Sequence, residues 1–179
     1  MAGCGADPDS GQRPGPSSAP AVSPIPRVEN PRDVAAMSRR TCELLTPQQA
    51  QGFGLDLPPE QRDGLFGTVA CAWMTTKPDG RVVRRVGIGV FTDNPTLDVV
   101  YNRRDSFASF ELTTVGGYPA TVARTNADLP ICDIDVKPAE RQSVSLTYDS
   151  DEFRDNPQQA CEVGKQVVEA MLANLPPKS

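Results

Sequence analysis

Apolar residues recur along this chain with two periods, and the longest regular run lies near its C-terminus. Ala160, Val163, Gly164, Val167, Val168, Met171 and Leu172 follow one another at helical spacing, which predicts a helix with one buried face. Asn156-Pro157-Gln158-Gln159 has the residues of an N-terminal cap, and Pro176-Pro177 would stop the helix. Elsewhere the period is two. Residues 68–74 put Val69, Cys71 and Trp73 on one face. Residues 82–92 return after Lys77-Pro78-Asp79-Gly80, a turn signal that makes the two a hairpin. Residues 118–125, after Gly116-Gly117, read as a short strand, and 131–136 and 142–148 alternate: Cys132, Ile134 and Val136 point inward, as do Val144, Leu146 and Tyr148, while Asp133 and Asp135 point outward.

The remaining segments are less regular. Thr46-Pro47-Gln48-Gln49 combines an N-cap residue, a proline at the first helical position and a capping-box partner, so a short helix is expected, ended by Gly52 and Gly54. Residues 33–37 allow a helical turn, and residues 54–67 read as a loop with an acidic rim. In 95–112, Leu97, Val100, Tyr101, Ala108 and Leu112 fit a helical stripe. The glycines of Gly87-Ile88-Gly89 lie inside a strand with no helix after them. They therefore read as room for a bulky neighbour or a crossing helix rather than a dinucleotide loop. These elements together predict an α+β fold: an antiparallel sheet of about five strands, with the N- and C-terminal helices packed on it.

Residues 1–27 and 28–179 differ in kind. Residues 5–26 are dominated by Pro, Gly and Ser and offer little apolar surface, which predicts a disordered tether; 28–179 is expected to be a single domain. Ahead of the tether, Ala2-Gly3-Cys4-Gly5 is similar to the end of a bacterial lipobox. Cys4 is accordingly the expected lipidation site, and the lipid the expected link to a membrane.

Composition narrows the chemistry. A formal charge of −5 with scattered Arg-Arg pairs argues against nucleic acid as a partner. The chain has no histidine, which removes Ser-His and Cys-His nucleophilic sites and histidine-ligated metals. Acids at Asp149, Asp151, Glu152 and Asp155 match no calcium loop, and they precede a helix, where the dipole alone favours them. Asp133 and Asp135 are the best carboxylates for a hydrolase, yet solvated strand residues explain them better. No catalytic residue, cofactor or metal is expected, and the chain is read as not an enzyme. Trp73 belongs to the core beside Cys71. Loops on a rigid scaffold carry recognition, and the 54–67 loop offers Leu57, Leu65 and Phe66 for it.

Four cysteines remain: Cys42, Cys71, Cys132 and Cys161. They allow three pairings; the face each occupies favours Cys42 with Cys71 and Cys132 with Cys161. Each bridge would staple a helix to the sheet and contribute about 3 kcal/mol by loop closure.

Cys42-Glu-Leu-Leu-Thr-Pro, Cys71-Ala-Trp73, Gly116-Gly-Tyr-Pro-Ala, the strand Cys132 and the final Gln159-Ala-Cys161 helix ending at Leu175-Pro176 occur here in order, behind Ala-Gly-Cys and a Pro/Ser leader. The set resembles the actinobacterial secreted lipoproteins grouped as domain of unknown function 3558. That resemblance implies an extracytoplasmic protein, lipid-anchored to the outer face of the cell membrane, and brings no established activity. The expected role is a binding module for an envelope protein or cell-wall component. The alternative is a carrier of an apolar or lipid ligand in a pocket between helix and sheet.

Overall fold

The computed structural model describes residue 1, residues 24–64, 68–94 and 96–178. The expected leader and Cys4 lie outside the described residues, as do Leu65 and Phe66 of the expected recognition loop. The fold is α+β, built on one antiparallel sheet of seven strands in the order β1-β2-β3-β7-β6-β5-β4. The strands are β1 (Glu60–Asp63), β2 (Val69–Thr76), β3 (Val82–Phe91), β4 (Ser109–Val115), β5 (Tyr118–Arg124), β6 (Ile131–Ala139) and β7 (Gln142–Ser150). The helices are α1 (Pro47–Gly52), α2 (Thr96–Asn102) and α3 (Gln159–Asn174).

Apolar rows cross the sheet where the alternation placed them. Cys71, Ile88, Leu146 and Ile134 stand in register across β2, β3, β7 and β6, and Trp73, Val86, Tyr148 and Cys132 form the next row. Helix α3 lies on this face against β6 and β7, burying Ala160, Cys161, Gly164, Val167, Val168, Met171 and Leu172. The approach is close: a β-carbon on Gly164 would come within 2.9 Å of Ile134 Cδ1 and 3.3 Å of Tyr148 Cβ. Disulfides join Cys42 to Cys71 and Cys132 to Cys161, each across 29 residues. The second ties α3 to β6. The first ties β2 to a single 3-10 turn, Thr41–Leu44, rather than to a helix.

Seven strands replace the expected five because two segments hide their pairing. β1 falls in the segment read as loop; all four of its residues are exposed, so no apolar alternation marks it. In 95–112 the helical stripe is real only as far as Asn102. The chain then turns, and β4 pairs with β5 through a two-residue hairpin at Gly116-Gly117. Both glycines have positive φ, 58° and 84°, the conformation such a turn requires.

Three smaller expectations also change. α1 keeps its capping box, with Gln49 N donating to Thr46 Oγ1 and Thr46 N to Gln49 Oε1. It sits beside the end of α3 rather than across the sheet, where Asn174 Nδ2 donates to Leu44 O (2.9 Å) and Gln49 Oε1 (2.7 Å). α3 starts without a side-chain cap, since Gln158 is already helical and Asn156 accepts only through its carbonyl. No helix crosses Gly87, which faces open space, while Gly89 makes room for the ring of Phe91.

Candidate functional site

Between α1 and the chain that follows it, the surface opens into a cleft of about 960 Å³. Its floor is Trp73 and Cys42, one wall is Leu45, Pro47 and Ala50, and the other is Leu55–Pro59. The lining is mostly apolar. Trp73 is only 1% exposed, whereas Leu57 is 38% exposed at the rim. Trp73 is thus both a core residue beside Cys71, as its strand position implied, and the base of the cleft. Of the three expected recognition residues, Leu57 lines this cleft.

Several long-range hydrogen bonds hold the second wall in place. The chain reverses at Gly54, whose φ is 67°, and Leu55 N donates back to Ala50 O at 3.0 Å. Arg84 on β3 reaches this turn, Nη1 donating to Phe53 O (2.8 Å) and Gly54 O (3.0 Å). Thr75 Oγ1 donates to Gly54 O as well, and Leu57 N to Met74 O at 3.2 Å. Arg84 also pairs with Glu152. The sequence held no local sign of Arg84 or Thr75, which act from 30 and 21 residues away. Pro58-Pro59, which stiffens the wall, was a visible signal of extended chain.

Charges at the cleft are acidic. Glu43 and Asp56 line it, and among the described residues no Lys or Arg does. Glu43 is answered by Arg40 at 2.9 Å, and among the described residues Asp56 has no ion-pair partner.

The other acidic groups serve the scaffold. Asp151 pairs with Arg81 at 3.1 Å and with Arg154 at 2.5 Å, and Glu152 pairs with Arg84, so both are engaged by arginines. Among the described residues no group of three or more Cys, Asp or Glu is arranged to hold a metal. Asp133 and Asp135 do lie on the face away from α3. Only Asp133 is open to solvent, accepting from Thr147 Oγ1 at 2.6 Å. Asp135 is 8% exposed, a correction to the expected solvated pair. α2, with Leu97 buried beneath it, packs over this part of β5, β6 and β7. Burial pushes the Asp135 carboxyl above its usual range, against the opposing Ser145 hydroxyl and with help from the Asp133 charge.

The space between α3 and the sheet is filled at its centre by Gly164 against Ile134 and Tyr148. The cleft lies beyond it, at the end of the sheet next to β1.

The fold and the cleft thus define a disulfide-stapled α+β domain with an open, apolar, acid-rimmed groove. The chain belongs to the family described as Protein of unknown function (DUF3558), whose family model matches residues 1–174. No curated protein and no solved structure matches it.

Proposed function

We propose that the chain is a non-catalytic binding module of a bacterial cell envelope, held at the outer face of the cell membrane by a lipid on Cys4, and that the cleft over Trp73 is its recognition site. The observation that carries the reading is the cleft itself: about 960 Å³, mostly apolar, and open at Leu57. Its size and lining are those of a binding site. Its walls are fixed by a disulfide, a capping box and Arg84, so little ordering cost remains to be met on binding. Among the described lining residues the Thr46 hydroxyl accepts from Gln49 N in the cap of α1 and is not paired with a base. Two structural disulfides suit an oxidising compartment, in keeping with Ala2-Gly3-Cys4 as a lipidation sequence.

The test is photo-crosslinking in the cells that produce the protein. Benzoylphenylalanine in place of Leu57 should give a specific adduct that the same group at Val99, exposed on α2, does not. Equal labelling at both positions, or none at Leu57, overturns the cleft as the recognition site. Cys4→Ser should move the protein from the membrane fraction to the medium; unchanged membrane association overturns the anchor.

Carriage of an apolar ligand is the second reading, favoured by the apolar lining. Such a ligand would occupy this cleft, not the filled space under α3.

A further inference from the structure

We infer that the cleft and the free edge of β1 together receive an extended polypeptide segment carrying a basic residue, an inference that rests on the cleft being the recognition site. β1 is the end strand of the sheet: it pairs with β2, and among the described residues nothing pairs with its other side. All four of its residues are exposed. A free edge offers backbone donors and acceptors to an added strand.

β1 begins directly after the Pro58–Pro59 wall. Gln61 stands in register with Cys71, which puts Gln61 on the same face of the sheet as Trp73. Every second residue of a strand added beside β1 would therefore project toward the cleft.

Charge then selects the partner. Glu43 and Glu60 are answered by Arg40 and Arg62. Among the described residues Asp56 and Asp63, at the two ends of this segment, have no ion-pair partner. A charged edge rejects apolar strands in general; with two unanswered carboxylates it accepts one that brings Lys or Arg. An acyl chain would fill the cleft but would use neither the β1 edge nor Asp56 and Asp63, so the polypeptide accounts for more of the surface.

The test is selection of a displayed library of random peptides, about twelve residues long, the span a sheet edge and its pockets read. The full chain is immobilised with its disulfides intact, and Leu57→Asp, Asp56→Lys and Asp63→Lys are run in parallel. The expected winners alternate apolar residues with at least one Lys or Arg, and change the emission of Trp73. Their affinity should fall with salt and drop about tenfold, near 1.4 kcal/mol, on either lysine variant. N-methylation of alternate peptide amides should abolish binding. Near-ultraviolet circular dichroism of each variant guards against misfolding. Absence of enrichment over Leu57→Asp, acidic winners, or undiminished binding of the N-methylated peptide overturns the inference. A lipid adduct at Leu57 in the cells would overturn it too while leaving the cleft as the recognition site, so the two failures are distinguishable.

Discussion

Arg84 and Gly54 fit closely against one another, so that a side chain on Gly54 would displace the guanidinium. Arg84 Nη1 stands 3.0 Å from the Gly54 carbonyl oxygen and would stand 2.1 Å from a β-carbon on that residue. The residue also holds φ at 67°, where side chains are strained. Gly54→Ala should therefore displace the guanidinium, loosen the Leu55–Pro59 wall and cost about 2–3 kcal/mol, the sum of backbone strain and lost charged hydrogen bonds. Gly80→Ala is the control: φ is 82° there, with nothing within 4 Å of the added carbon, so only strain of about 1 kcal/mol remains. Urea unfolding measures both. Trp73 emission should move in the folded state of Gly54→Ala alone.

Gly164 lets α3 rest on the sheet. An added methyl would meet Ile134 Cδ1 at 2.9 Å and Tyr148 Cβ at 3.3 Å. Alanine improves helix propensity by about 1 kcal/mol, yet overpacking a dense core costs about 1–3 kcal/mol. Gly164→Ala should be net destabilising. Ile134→Val removes the nearest atom, so the double variant should be more stable than additivity of the two single changes allows. A double-mutant cycle by chemical denaturation reads this coupling.

The two disulfides close loops of equal length, so removing either as a Cys→Ala pair should cost a similar amount, about 3 kcal/mol. Their local effects should differ. Cys42 lines the cleft, and Cys71 neighbours Trp73 along β2. Loss of that bridge should change Trp73 emission and its quenching by acrylamide in the folded protein. Loss of Cys132–Cys161 should leave both near the starting values while lowering the unfolding midpoint.

Much of this architecture could be read from residue pattern, and the parts that could not share a physical reason. Apolar alternation marks a strand only where one face is buried. It therefore marked β2, β6 and β7 and missed β1, whose residues are all exposed; β3 and β5, the latter buried along its whole length, followed from the turn signals ahead of them. The pairing Gly116-Gly117 is a turn signal in its own right, but the helical stripe ahead of it masked β4. The outward face of β6 was correct for Asp133 and Asp135, yet period two says nothing of what lies above a strand. The helix α2 that covers Asp135 comes from elsewhere in the chain. The cleft was half legible: Leu57 and Trp73 could be named, because loop position and aromatic type are local. The bonds from Arg84 and Thr75 that shape it join distant residues, and no periodicity carries them.

Burial of Asp135 gives stability a pH dependence whose sign can be derived. The folded chain holds a proton on this carboxyl that the unfolded chain releases near the ordinary value of 3.8. Over the window from that value up to the folded one, the native state binds more protons than the unfolded state. Stability therefore falls as pH rises through the window. Asp149 is shifted upward as well, first by burial, and adds the same sign. Asp135→Asn removes the larger burden of an ionised, buried carboxylate. The amide oxygen can still accept from Ser145 Oγ, as Asp135 does. The amide nitrogen brings a donor to the position opposite Thr121, whose buried hydroxyl has no hydrogen-bond partner among the described residues. Asp135→Asn should match the starting protein near pH 4, exceed it in stability at pH 7, and show a flatter profile between. Asp135→Asn/Asp149→Asn should be flatter still. Urea midpoints across the range measure this, and a variant less stable than the starting protein at pH 7 would show that the ionised carboxylate is tolerated beneath α2.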